Sequence, residues 1–211
     1  MTPTAKTGKL FPVILPVPEK DRGLKGKDKV ACLSRLAREA LAISARKSGV
    51  RLNVLLKAPN GAPLPVDNHY WSLSHKSAFV GGVVAPMRIG IDIEKIRPVH
   101  PAMFMKTAAE NEWALTDENP IQRFFRYWTA KEAVLKAAAV GLKNLSRCRI
   151  AQVTDGRNLI IRYQDEHWPV EHFFFSGHIA SIVKTASKID WAIVESDHVG
   201  DPALKADSSR V

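Results

Sequence analysis

Apolar positions along the chain switch between two periods, and the switches lay out the elements. Residues 11–18 hold apolar side chains among Pro12, Pro16 and Pro18, which reads as extended chain. The basic residues 19–29, with Gly23 and Gly26, are expected to form a loop. From Val30 to Lys47, the residues Ala31, Leu33, Leu36, Ala37, Ala40, Leu41 and Ile43 recur at helical spacing. Arg35, Arg38, Glu39 and Arg46 lie off that stripe, and Gly49 stops the helix. Residues 51–57 resemble a short strand, and Asn60-Gly61-Ala62-Pro63 has the composition of a turn. Residues 70–74, 78–85 and 89–94 read as strands, the last two joined at Pro86-Met87-Arg88. Pro98 and Pro101 bracket His100 in a link to a second half. There a long helix runs from Pro120 or Ile121 to about Val140 and closes at Gly141, ahead of strands at 149–153, 158–163, 170–175, 178–184 and 191–195.

Each half therefore carries a helix and several strands with hairpin-length connections. That pattern predicts two small α+β units side by side, at residues 1–98 and 99–195, with a frayed polar tail at 196–211. A chain of 211 residues, 45% hydrophobic and 25% charged, buries a core without staples and is neither disordered nor collagen-like. No run reaches the roughly 18 apolar residues of a spanning helix. Residues 10–17 lack the cleavage site of a signal peptide. Cys32 and Cys148 stand far apart with no ligand spacing, as buried thiols of a reducing compartment. The expectation is a cytoplasmic protein that does not associate with membranes.

Charge narrows the partners. The net charge is +10, and residues 1–57 hold 13 Lys/Arg against 4 Asp/Glu, so the first quarter carries nearly all of the excess. Such a patch calls for a polyanion, whether nucleic acid, anionic membrane, phosphorylated small molecule or acidic protein.

Three stretches carry chemistry. In Gly90-Ile91-Asp92-Ile93-Glu94, alternation puts Asp92 and Glu94 on one face of a strand and Ile91 and Ile93 on the other. Two neighbouring carboxylates need a positive charge between them, which a hard divalent cation such as Mg²⁺ supplies. Salt bridges to Lys95 and Arg97, or an exposed strand face, are the competing explanations. In the long helix Trp128, Glu132 and Lys136 share one face, either as an ordinary Glu-to-Lys surface pair or as a third carboxylate beside a phosphate-neutralising lysine. Trp71-Ser72-Leu73-Ser74-His75-Lys76 ends a strand with groups that can hold phosphate together. A serine–histidine nucleophile is disfavoured there, because adjacent strand residues point to opposite faces.

The acidic strand, the Trp128-Thr129-Ala130-Lys131-Glu132-Ala133-Val134-Leu135-Lys136 helix and Ser72-Leu73-Ser74-His75 together resemble the 4′-phosphopantetheinyl transferases, Sfp (surfactin) type, over roughly Gly61 to Leu142. The resemblance implies a monomeric pseudo-dimer of two α+β halves with its active site in the cleft. It implies transfer of the phosphopantetheine arm of coenzyme A to a serine of an apo acyl, peptidyl or aryl carrier protein, releasing adenosine 3′,5′-bisphosphate. By the same likeness Asp92, Glu94 and Glu132 would hold Mg²⁺, with Mn²⁺ as an alternative ion. Lys136 would stabilise the leaving phosphate, and Ser74, His75 and Lys76 would bind coenzyme A phosphates. Basic residues of the first quarter, with Lys25 and Lys29 as candidates beside Lys27, would add to that site. Glu112 is favoured over Glu110 as the base for the carrier serine, although either suits a plain helix-start carboxylate.

One position departs from the family: Ala62 stands where a Gly-Lys-Pro turn would place a phosphate-binding lysine, leaving Lys57 or Lys76 to substitute. A basic nucleic-acid-binding module lacks a helix-turn-helix, zinc-finger or RNP signature here. A Mg²⁺-dependent phosphoesterase explains the carboxylates but not the order of the three motifs. If coenzyme and carrier are the polyanions, added salt will weaken binding of both.

Overall fold

The apolar stripe and the strand alternation lead to two sheets, each crossed by one helix, in a computed structural model that describes residues 8–184 and 187–194. The expected tail at 196–211 and the last residue of the expected strand 191–195 lie outside the described residues. Strands β1 (Lys9–Leu10) and β2 (Val13–Pro16) precede the single turn α1 (Glu19–Arg22) and helix α2 (Gly26–Lys47). The 19–29 stretch is thus largely helical instead of a loop: α2 starts at Gly26, with Asp28 opposite the positive end of its dipole. Residues 51–57 form no strand. Leu52 and Leu55 pack beside Trp71 and Val66, and the backbone pairs only where Lys57 bridges Pro63.

Strands β3 (Tyr70–His75), β4 (Phe79–Ala85) and β5 (Ile91–Lys95) follow. Short helices α3 (Ala102–Thr107) and α4 (Glu110–Trp113) then lead to α5 (Pro120–Ala137), whose Asn119 side chain caps the first turn. Helix α5 ends before the expected Val140. Ala139, at φ +57°, takes the left-handed position, and the Val140 N–H bonds back to Leu135, which closes the helix ahead of Gly141. A 3₁₀ turn at Leu142–Arg147 precedes β6 (Arg149–Val153), β7 (Asn158–Tyr163), β8 (Glu166–Phe175) and β9 (His178–Val183). The short β10 (Lys188–Ile189) and β11 (Ala192–Ile193) complete the described chain.

The first sheet runs β11-β2-β4-β3 and the second β5-β9-β8-β7-β6, with β1 and β10 as a separate pair. This is the expected α+β pseudo-dimer with a central cleft, but pairing crosses the division expected at residue 98. Strand β5 lies antiparallel to β9 in the second sheet, and β11 returns to lie parallel to β2 in the first.

The Gly81-Gly82 pair in β4 serves both layers. A Cβ on Gly82 would sit 2.4 Å from the Leu41 nitrogen of α2, and one on Gly81 would sit 2.7 Å from Ile93 of β5. One glycine therefore admits the helix and the other admits the second sheet. Gly90, just ahead of β5, does the same for α5: its missing Cβ would fall 1.9 Å from the Ala133 carbonyl oxygen. Gly90→Ala should destabilise the protein by about 3 kcal/mol or more, since backbone faces backbone and neither can yield. Urea unfolding tests this against Gly156→Ala, where the added Cβ meets nothing within 4 Å and stability should hold.

Candidate active site

Close seating of α5 on Gly90 brings the helix face Trp128–Glu132–Lys136 down onto β5. The Lys136 ammonium donates to Asp92 Oδ1 at 2.8 Å and to the Ile91 carbonyl at 2.9 Å. The Trp128 indole N–H donates to Glu94 Oε1 at 3.3 Å. Oxygens of Asp92, Glu94 and Glu132 lie within 4.8 Å of one another. Asp92 is 3% exposed and Glu94 9%, so this is no exposed strand face. The expected salt-bridge partners Lys95 and Arg97 are not used; Lys76 and Lys136 take the carboxylates instead.

Three carboxylates against two ammonium groups leave the cluster one positive charge short. The shortfall falls on Glu132, whose pKa is pushed up to about 7 by burial and then by the Asp92 charge, with Lys136 and Lys76 opposing. Lys76 is raised: burial alone would lower it, but its hydrogen bond to Glu94 and that carboxylate's charge outweigh burial. Asp92 Oδ2 is buried with no hydrogen-bond partner. An orphaned carboxylate oxygen, a carboxyl group driven toward protonation and three converging oxygen donors fit a hard divalent cation such as Mg²⁺.

The serines of the Ser72–His75 motif do different work from that expected of Ser74. Strand β5 is an edge strand, and its buried N–H groups on that side need acceptors. Ser72 Oγ accepts from the Ile91 N–H at 3.1 Å, and Ser74 Oγ accepts from the Ile93 N–H at 3.0 Å. Ser74 then donates to Asp92 Oδ1 at 3.0 Å. The hydroxyls stitch the two sheets together and hold Asp92. With its proton directed there, Ser74 positions Asp92.

His75 turns the other way, into a cavity of about 260 Å³ between α2, the 57–63 turn, β3 and the end of α5. Arg38, Lys57, His75 and Lys136 are its basic lining, and Ala62 lies on the same wall. The turn is fixed by Asn60, whose amide donates to the Ala139 carbonyl at 3.2 Å. Burial, incompletely offset by a backbone hydrogen bond, and the charges of Lys136, Lys57 and Lys76 hold His75 below its usual value, so it is neutral at pH 7. Of the two lysines expected to make good Ala62, Lys57 faces this cavity and Lys76 turns to Glu94 at 2.6 Å.

Lys25 and Lys29 are not in the cavity wall. Lys25 is the exposed residue ahead of α2, and Lys29 reaches Ser77 Oγ at 3.2 Å. Arg38 is the α2 cation that lines the cavity. The sequence signal for it was its place off the apolar stripe, a position it shared with three other charged residues.

Glu112 is placed as a structural ion pair. Its carboxylate receives Lys131 at 2.7 Å, Arg149 at 3.1 Å and the N–H groups of Ala109 and Ile150 at 2.8 and 2.7 Å. Burial would raise its pKa, but the Ala109 N–H, Lys131 and the Ile150 N–H outweigh it and hold the carboxyl below its usual range. A carboxylate so saturated is a poor base. Glu110 is exposed on α4.

Residues 88–186, which carry α5 and all five strands of the second sheet, match the family model of the 4'-phosphopantetheinyl transferase superfamily. The match is at the level of the superfamily. A 4'-phosphopantetheinyl transferase of Bacillus pumilus, psf-1, is 28% identical over 116 residues, covering 52% of this chain and 50% of that protein. The 4'-phosphopantetheinyl transferase HetI of Nostoc sp. is 40% identical over 70 residues, 30% of each chain. The chain thus spans half or less of the length of these curated relatives. Among the described residues, no helix is long and apolar enough to cross a membrane.

Glu132 gives the site a pH signature. Its folded pKa of about 7 exceeds the usual 4.5, so between those values the folded state holds a proton that the unfolded chain has lost. Glu132 alone should therefore contribute a loss of about 3 kcal/mol to the metal-free protein as pH rises through that window. The buried His172, held well below its usual value by burial, acts in the opposite direction in wild type and variant alike, so the difference between them isolates Glu132. Denaturant titrations at pH 4.5 and 8 should show Glu132→Gln gaining stability relative to the wild type as pH rises.

Proposed function

We propose that the chain is a phosphopantetheinyl transferase of the surfactin type, moving the phosphopantetheine group of coenzyme A to a serine of an apo acyl, peptidyl or aryl carrier protein. The observation that carries this reading is the convergence of Asp92, Glu94 and Glu132 with Lys136, beside a cavity lined by Arg38, Lys57 and His75. The superfamily match over residues 88–186 supports it.

Asp92, Glu94 and Glu132 would hold Mg²⁺, which when bound neutralises the diphosphate and so favours attack on phosphorus. Arg38 and Lys57 supply fixed positive charge for the remaining phosphate, where Ala62 offers none. His75 contributes a further hydrogen bond from the cavity wall. In the transfer, the serine Oγ–phosphorus bond forms as the bond from phosphorus to the departing adenosine 3′,5′-bisphosphate breaks, and the serine proton passes to water. Lys136, fixed at one end of the triad by Asp92 and the Ile91 carbonyl, donates to the leaving phosphate oxygen as its charge grows. Most of the acceleration is then positioning and electrostatics. The excess of basic side chains suits both coenzyme A and an acidic carrier, and the reading extends to a monomer acting in the cytoplasm.

Incubating the protein with coenzyme A, Mg²⁺ and several apo carriers should add one phosphopantetheine group to the carrier mass. Asp92→Asn and Glu132→Gln, which keep the shape of each side chain, should abolish the gain while circular dichroism shows the fold retained. No gain on any carrier would refute the transferase reading, and activity in either variant would refute the placement of the triad.

A further inference from the structure

The charges around Glu94 imply an exchange. Lys76 sits at the mouth of the β3–β4 hairpin, where its N–H bonds to the Phe79 carbonyl at 2.9 Å, so its backbone is anchored. Its ammonium lies 2.6 Å from Glu94 Oε1, the oxygen that also receives Trp128. The side chain of Lys76 is 40% exposed, against 12% for that of Glu94, so the ammonium reaches the carboxylate from the solvent side. Lys136, by contrast, is held at two points, by Asp92 and by the Ile91 carbonyl.

Lys76 and Lys136 leave the three carboxylates one positive charge short, and adding a divalent cation would leave the cluster one charge in excess. The more loosely held ammonium is the one such a cation displaces. Four flexible methylenes separate that ammonium from its anchored backbone, and an incoming diphosphate offers it a new anion.

We propose that Lys76 is a resident counter-ion of Glu94 that a divalent cation displaces, and that the released ammonium passes to the diphosphate entering with the cation. The lysine thereby couples the two ligands: each lowers the cost of binding the other, and the coupling is reciprocal. The proposal rests on the coenzyme A reading of the site.

Mn²⁺ titrations followed by the electron paramagnetic resonance of the free ion test it, with and without coenzyme A, on wild type, Lys76→Gln and Lys95→Gln. Lys95→Gln removes the same charge from the neighbour of Glu94 without touching the ion pair. Without coenzyme A, Lys76→Gln should bind Mn²⁺ up to roughly fivefold more tightly than wild type, the scale of a half-exposed ion pair, and Lys95→Gln should change it less. Coenzyme A should then tighten Mn²⁺ binding less in Lys76→Gln than in wild type. Equal Mn²⁺ affinity in Lys76→Gln and wild type, or an equal rise in both variants, would overturn the exchange. Tighter Mn²⁺ binding in Lys76→Gln with no effect of coenzyme A on any of the three would overturn the hand-over, and would point to failure of the coenzyme reading rather than of the Lys76–Glu94 competition.

Discussion

A carboxylate as deeply buried as Asp92 survives in a fold only where hydrogen bonds and an opposite charge replace its water. Lys136 and Ser74 provide both, and each comes from a different layer. Lys136 descends from α5 and Ser74 reaches across from the first sheet, so the one carboxylate ties helix, first sheet and second sheet together. Its other oxygen stays without a partner. The site is thus built around a residue compensated on one side and open on the other, the arrangement expected where a ligand supplies the missing charge.

The architecture exists to hold that joint. Gly90 lets α5 approach β5 backbone to backbone, and Gly81 lets the two sheets meet at Ile93. Ser72 and Ser74 then occupy the edge of β5, where another strand would otherwise pair. Every one of these contacts falls on β3, β4, α5, or β5 and the residue just ahead of it. A second buried ion network, Glu112 with Lys131 and Arg149, ties α4 and β6 to the back of α5. Adjacent residues Lys131 and Glu132 therefore serve opposite sides of one helix, the first for packing and the second for chemistry.

How far this was legible in the sequence depends on whether a property is local. Period-two alternation placed Asp92 and Glu94 on one face, and helical spacing aligned Trp128, Glu132 and Lys136; both hold, because side-chain direction along an element follows from backbone geometry. Strand pairing is not local, so β5 was grouped with the first half although its hydrogen bonds go to β9. For Glu112, nothing in its neighbourhood in the sequence announces Lys131, Arg149 and the N–H of Ile150. The contact of Ser74 is hidden for the same reason: its partner, the Ile93 N–H, is an edge group that meets it only once the sheets are packed. Arg38 is not distinguishable in the sequence from the other charged residues of its helix, because the 57–63 turn that shares its cavity is remote along the chain.

Anomalous diffraction from crystals soaked in Mn²⁺ tests most directly whether the buried carboxylate cluster is a divalent cation site. A cation site there gives a peak among Asp92, Glu94 and Glu132, beside carboxylate oxygens that include Asp92 Oδ2, with the Lys76 ammonium withdrawn from Glu94. A map with no peak there, and Lys76 still on Glu94, would contradict it.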